Sequence, residues 1–336
     1  MTALTKILAW MLYVAITCFV ATTVRAADIR FIDVPANGQQ PPLTGVVWYP
    51  CASPVQDVRL HGLKVPGVID CPIEGDRYPL VIISHGRTGW YGGHHDTAEV
   101  LADGGFVVVA INHPGENAFD RSRVDELSLA AERPVDNKRV IDFMLDSWPG
   151  RAKIDQDHIA EFGFSRGGYT TLAVIGGTPD YRRGAGRCPR DLNEGQCNLF
   201  RKYEVIPERR ATYDPRIKAA VIADPANSIL FGEDDLKGIS VPVQVWASGR
   251  GGAGVSVQSV GNVLRKLPAG TEYYLVPDAG HFAFLAPCTG GQMQSNPDIC
   301  VDAPGFDRIA FHKMLNAEIL AFFRQHLLQA HTGRRD

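Results

Sequence analysis

IAEFGFSRGG, residues Ile159–Gly168, decides how the rest of the chain is read. Its first half, Ile159–Ser165, is a short apolar run that ends in a turn, which predicts a buried strand. Its second half, Gly163-Phe164-Ser165-Arg166-Gly167-Gly168, is a G-x-S-x-G turn, and Tyr169–Ile175 continues with helical spacing. The glycines have a steric reason. A serine lifted clear of a sheet by a tight strand-to-helix turn has its neighbours two before and two after crowded against the helix start, where a Cβ would clash. The hydroxyl then lies beside a helix N-terminus, where negative charge is favoured. Ser165 is the candidate nucleophile; the competing reading is a tight turn carrying a surface serine.

The same alternation of strand and helix runs through most of the chain. PLVIISHG (Pro79–Gly86) and FVVVAINHPG (Phe106–Gly115) read as buried strands before the turn. KAAVIADP (Lys218–Pro225), VPVQVWASG (Val241–Gly249) and EYYLVPDAG (Glu272–Gly280) read as strands after it. An apolar run, GVVWY (Gly45–Tyr49), follows a polar, turn-rich opening. Helical spacing covers His94–Gly105, Val135–Trp148, Val255–Leu267 and an amphipathic terminal stretch, Ile309–Leu328. This order predicts an α/β fold: a mostly parallel central sheet flanked by helices, with its site at the carboxyl ends of the strands. Thr178–Pro215 breaks the rhythm. It is long, polar and arginine-rich, and predicts a small lid insertion over a single domain spanning 27–336. Its cations (Arg182, Arg183, Arg187, Arg190, Arg201, Lys202, Arg209 and Arg210 in or beside it) form either a solvated face or a funnel for anionic substrates.

The chain has 336 residues, 45% hydrophobic and 21% charged, with a formal net charge of −3. That balance disfavours disorder, a fibrous chain and a generally basic nucleic-acid binder. Lys6 precedes eighteen uncharged residues, Ile7–Val24, and then Val24-Arg25-Ala26. A basic start, a short apolar stretch and a small-residue end predict a signal peptide over 1–26, the competing reading being an uncleaved anchor. Cleavage implies a periplasmic or secreted protein with no stable membrane span, and takes the net charge to −5. It also removes Cys18 and leaves six cysteines in three close pairs: Cys51 with Cys71, Cys188 with Cys197, and Cys288 with Cys300. In an exported chain, neighbour pairing as disulfides is the simplest reading, each worth about 3 kcal/mol if unstrained; free core thiols are the alternative. There is no CxxC, and no zinc ribbon is expected.

A serine nucleophile needs a base and an acid. His281 lies in Asp278-Ala279-Gly280-His281-Phe282, behind the last strand and able to reach back to Ser165. Of the other histidines, His85 is expected to shape its turn, His94 and His95 to open a helix, and His113 to line the site. The usual place for the acid, after VPVQVWASG, holds none: no carboxylate occurs between Asp235 and Glu272. Asp224, in the strand-end sequence ADP, becomes the candidate, in the chain order Ser165, Asp224, His281. Asp278 is its rival, three residues from His281; Asp234 and Asp235 read as a solvated helix start. The two backbone donors of an oxyanion hole are expected at Arg166 and at Arg87, in the glycine-rich turn His85–Gly89. Trp90 and Tyr91 are expected to floor an apolar substrate pocket, with core or rim packing as the alternative.

These residues resemble the α/β-hydrolase superfamily across nearly the whole mature chain. Within it, WYP (Trp48–Pro50), ISHGRTG (Ile83–Gly89), ADP (Ala223–Pro225), GHFAFL (Gly280–Leu285) and ERPVDNKRVIDFML before the turn resemble the platelet-activating-factor acetylhydrolase and predicted dienelactone hydrolase group. The resemblance implies an α/β-hydrolase fold without cofactor or metal, with Ser165, Asp224 and His281 as the triad and Arg87 and Arg166 as oxyanion donors. Where dienelactone hydrolases use a cysteine, this sequence has Ser165. The expected activity is exported serine hydrolysis of small-molecule esters, short-chain or soluble ones foremost. An amidase or peptidase with the same triad and a catalytically silent binding protein are the alternatives. The oligomeric state is left open.

Overall fold

The computed structural model describes residues 26–182 and 212–328. All but the last residue of the expected signal peptide lies outside the described residues, as does most of the expected lid. Cys188 and Cys197 both lie outside the described residues as well, so the disulfide expected between Cys188 and Cys197 has no counterpart among the bonds described here. The other two expected disulfides are present: Cys51–Cys71 behind the second strand, and Cys288–Cys300 near the carboxyl end of the chain.

Eight strands form one sheet in the order β1-β2-β6-β5-β7-β8-β9-β10. They are β1 (Ala26–Val34), β2 (Leu43–Cys51), β5 (Tyr78–Ser84), β6 (Val107–Ile111), β7 (Ile154–Phe164), β8 (Ile217–Ala223), β9 (Val243–Ser248) and β10 (Glu272–Val276). A separate hairpin pairs β3 (Gln56–Leu60) with β4 (Leu63–Gly67). The β1/β2 and β2/β6 pairs are antiparallel, and the rest of the large sheet is parallel.

β5 and β6 are buried on both faces, so they are near-continuous apolar runs without polar alternation. Leu80 and Ile82 of β5 pack into one apolar cluster with helices α2 (Ser128–Asp146), α3 (Arg166–Val174) and α4 (Val257–Leu264). Val81 and Ile83 point the other way, into a cluster with α1 (His95–Asp103). That second cluster also takes in the long C-terminal helix Arg308–Phe323, whose first turn Asp307 caps at 2.9 Å to the Ala310 N–H. Two short helices, Gly290–Ser295 and Pro297–Cys300, precede it, so these three are α5, α6 and α7 in chain order. β6, which follows β5, and β8, which follows β7, lie on opposite sides of the β5/β7 pair. The chain therefore leaves β5 and β7 in opposite directions, which opens a crevice at their carboxyl ends.

The β3/β4 hairpin and the short helices α5 and α6 were not expected from the sequence, and two further differences have identifiable reasons. The helix expected from Val135 begins at Ser128, with Pro134 inside it. Pro134 lacks the N–H that would bond the Ala130 carbonyl, and the Tyr169 hydroxyl donates to that carbonyl instead, at 3.0 Å. The strand β1 was not expected, since Asp28, Arg30 and Asp33 interrupt its apolar residues. Asp28 is nonetheless fully buried and accepts the Cys71 N–H at 2.6 Å.

One buried carboxyl gives a pH prediction. Glu161 of β7 is fully buried and accepts from Asn137 Nδ2 and Thr171 Oγ1, each at 2.8 Å. Burial pushes its carboxyl up from 4.5 to about 8. Below pH 4.5 the group is protonated in both states. Above that the unfolded chain releases the proton while the folded chain retains it, so stability falls as pH rises toward about 8. Glu161→Gln reproduces the protonated form. Its melting temperature should exceed that of the wild type by several degrees at pH 9, with the gap closing near pH 5. Thermal melts showing a pH-independent gap would contradict this.

Candidate active site

The G-x-S-x-G turn forms because β7 must pass into α3 with no room for side chains beside it. A Cβ on Gly163 would meet the Gly167 carbonyl oxygen at 2.3 Å, and one on Gly167 would meet the Ser84 carbonyl oxygen at 1.8 Å. Ser165 itself takes φ 55° and ψ −116°, a strained backbone for a residue with a Cβ. This holds its hydroxyl at the start of α3 and at the edge of the β5/β7 crevice.

The other two expected members converge on it. His281 Nε2 lies 3.0 Å from Ser165 Oγ, and His281 Nδ1 lies 2.6 Å from Asp224 Oδ2. With the Nδ1–H donating to the carboxylate, Nε2 is left as acceptor for the serine hydroxyl. All three side chains are buried: 6% exposed for Ser165, 2% for His281 and none for Asp224. Asp278, the rival acid, is 73% exposed and 3.5 Å from Arg250. Ser248 was missed. It ends β9, where the acid was first sought, and it donates its N–H to Asp224 Oδ1 at 2.9 Å and its hydroxyl to Oδ2 at 2.6 Å. The glycine-rich loop after it fastens the base, because the His281 N–H donates to the Gly251 carbonyl at 2.8 Å. A Cβ on Gly249 would strike the Pro277 carbonyl oxygen at 2.1 Å, so close approach of the two loops requires glycine there. The Phe164 ring packs on His281 with centroids 4.8 Å apart.

Arg87 and Arg166, the expected oxyanion donors, both line a cavity of about 750 Å³ that opens on Ser165 and His281. Arg166 is the first residue of α3, so its N–H has no carbonyl within the helix to bond. Its guanidinium does not reach for substrate. It is 6% exposed and tied to Glu116. The other expected lining residues divide. Trp90 lines the cavity, together with Phe282, Leu285 and Ile299. Tyr91 does not: it is 4% exposed and packed in the core, its N–H held by Asn112 Oδ1 at 2.9 Å. His113 is also displaced from the expected role. Its ring is fully buried between Ser84 Oγ at 3.1 Å and Asp136 Oδ2 at 3.0 Å, behind the turn and away from the cavity. Burial and the nearby Arg133 cation hold its pKa well below 6.5. The Cys288–Cys300 bridge closes the cavity wall formed by Gln292, Asn296 and Ile299. Among the described residues, no cluster of His, Cys, Asp and Glu could hold a metal ion, and no helix is long and apolar enough to cross a membrane.

A parallel sheet with helices on both faces, a serine on a strained strand-to-helix turn, and a histidine and aspartate from two later strand ends make up the α/β-hydrolase fold. The solved structure of a ferulic acid esterase from Streptomyces cinnamoneus superposes with a TM-score of 0.64 over 94% of each chain at 19% identity, a likeness of fold. Over 130 residues, 38% of its length, the chain is 31% identical to Cutinase 2 of Thermobifida cellulosilytica and 32% identical to Cutinase est1 of Thermobifida alba. Those segments are 46% and 40% of the two proteins, so the chain spans less than half the length of these curated relatives. No protein-family model matches the chain.

Proposed function

We propose that this chain is an exported serine ester hydrolase acting on short-acyl or soluble esters. The hydrogen-bonded chain from Ser165 through His281 to Asp224 carries this reading. Ser165 Oγ attacks the ester carbonyl carbon as His281 Nε2 takes its proton, and Asp224 stabilises the resulting imidazolium. The oxyanion that forms is held by the N–H groups of Arg87 and Arg166. Collapse breaks the ester C–O bond. His281 returns the proton to the departing alkoxide, leaving an acyl group on Ser165. A water deprotonated by His281 then releases the acid and restores the serine. No cofactor enters any step.

The partial likeness to cutinases and the ferulic acid esterase fold agree with ester bonds as substrate. A cavity of about 750 Å³, apolar at Trp90, Phe282 and Leu285, suits a small acyl or aryl group and its alcohol. The disulfides fit an oxidising compartment. The test is a matched panel with the purified mature protein. p-Nitrophenyl acetate and butyrate should turn over faster than the palmitate ester, and a p-nitroanilide with the same acyl group should turn over far more slowly. Preference for the anilide would replace the esterase reading with an amidase, and no turnover of any member would contradict both.

A further inference from the structure

We propose that a buried ion cluster, Arg133–Glu116–Arg166, is a positioning device that fixes the two oxyanion donors of the site relative to each other. The inference rests on the esterase reading above. Glu116 is fully buried and placed between two guanidiniums: its Oε2 accepts from Arg133 Nη1 at 3.2 Å, and its Oε1 from Arg166 Nη1. Arg166 bears one oxyanion N–H in its backbone, so Glu116 and the Val124 carbonyl, at 3.2 Å, anchor the residue that carries that donor.

Arg133 reaches the second donor. From α2 its Nε donates to Thr170 Oγ1 in α3 at 3.2 Å, while its Nη2 donates to the His85 carbonyl and lies 3.4 Å from Ser84 Oγ. One side chain thus spans the nucleophile helix and the exit of β5. The next peptide, Gly86–Arg87, holds the other N–H. Its carbonyl accepts from the Gly89 N–H at 3.0 Å and from His85 Nδ1 at 2.7 Å. The His113 N–H donates to His85 Nε2 at 3.2 Å, which assigns the ring proton to Nδ1. Two successive peptide planes are therefore pinned by their carbonyls, and across a trans peptide the Arg87 N–H points away from that pinning, opposite the Gly86 carbonyl. One carboxylate between two guanidiniums leaves a net positive charge under the turn, the sign that favours an oxyanion. Neither arginine can shift without unpairing a buried carboxylate.

Arg133→Lys retains a cation but loses the fork, and Thr170→Val removes the Nε acceptor together with the hydroxyl's own bond to the Arg166 carbonyl at 2.9 Å, which ties the same cluster to the donor-bearing residue. In p-nitrophenyl butyrate hydrolysis, Arg133→Lys should lower kcat about 10- to 100-fold. Its KM should stay within about twofold, and the pH–rate midpoint should be unchanged because the base is untouched. Thr170→Val should show the same pattern, smaller. If Arg133→Lys does not fold, Thr170→Val carries the test. Folded variants with wild-type kcat, a loss confined to KM, or a shifted midpoint would overturn the proposal, as would failure of both variants to fold, which would make the cluster a stability element. A wild type that hydrolyses no ester would bring down the esterase reading itself, whereas an active wild type with indistinguishable variants brings down only the positioning role.

Discussion

Ser165→Ala should lower kcat for p-nitrophenyl butyrate by about 10⁴- to 10⁶-fold, with no fall in melting temperature. The magnitude follows from the geometry. Ser165 Oγ is the atom His281 Nε2 faces at 3.0 Å, and once it is gone only water in the cavity is available to attack. What remains is the acceleration that backbone donors and binding supply alone. The stability half separates chemistry from folding. Alanine keeps the Cβ and so meets the same φ 55° backbone cost as serine, and no buried partner other than His281 loses a bond. A variant with ordinary activity would remove Ser165 from the reaction, and a variant that unfolds would leave the loss of activity without chemical meaning.

Asp224→Asn should lower kcat about 10⁴-fold, whereas Asp278→Asn should change it little. The asparagine has two orientations, and Ser248 chooses between them. The Ser248 N–H donates to the Oδ1 position, so the amide oxygen must sit there and the amide NH₂ must face His281. That NH₂ can only donate to Nδ1. The ring proton is then driven to Nε2, where it points at Ser165 and the base is lost. Asp278 has no such part to play, since its exposed side chain lies near Arg250 and not near the imidazole. Steady-state kinetics of both variants decide the matter; a large loss from Asp278→Asn with little from Asp224→Asn would reverse the assignment of the acid.

The centre of the sheet was legible because strands such as β6 are buried on both faces and therefore written as unbroken runs such as VVVAI. The elbow was legible because steric crowding demands glycine at Gly163 and Gly167. Two of the three neighbour disulfides, Cys51–Cys71 and Cys288–Cys300, were legible from spacing alone, while the pairing of Cys188 with Cys197 falls outside the described residues. Asp224 stood out by elimination, from the missing carboxylate after β9, and it lies 2.6 Å from His281 Nδ1, but Ser248 did not, because nothing in a strand-end serine announces which side chain it will hold. Strand β1 was missed since its partner β2 supplies the pairing and its buried Asp28 is satisfied by Cys71, far along the chain. His113 and Tyr91 were assigned to the cavity from their position after strands and loops. Which way a side chain turns there depends on partners, here Asp136 for His113 and the apolar core for Tyr91. The cluster around Glu116 joins a loop, two helices and a turn, and pairing of that kind is set by the fold and has no local sequence pattern.

The most direct measurement is reaction of the folded protein with a fluorophosphonate, followed by peptide mapping of the adduct. An activated serine displaces fluoride and forms a P–O bond to its Oγ. One phosphonyl group per chain is expected, on the peptide containing Gly163-Phe164-Ser165-Arg166-Gly167, with labelling lost in Ser165→Ala and strongly slowed in Asp224→Asn. Folded protein that takes no label, or takes it on another residue, would contradict the central claim that Ser165, His281 and Asp224 form a working nucleophilic site.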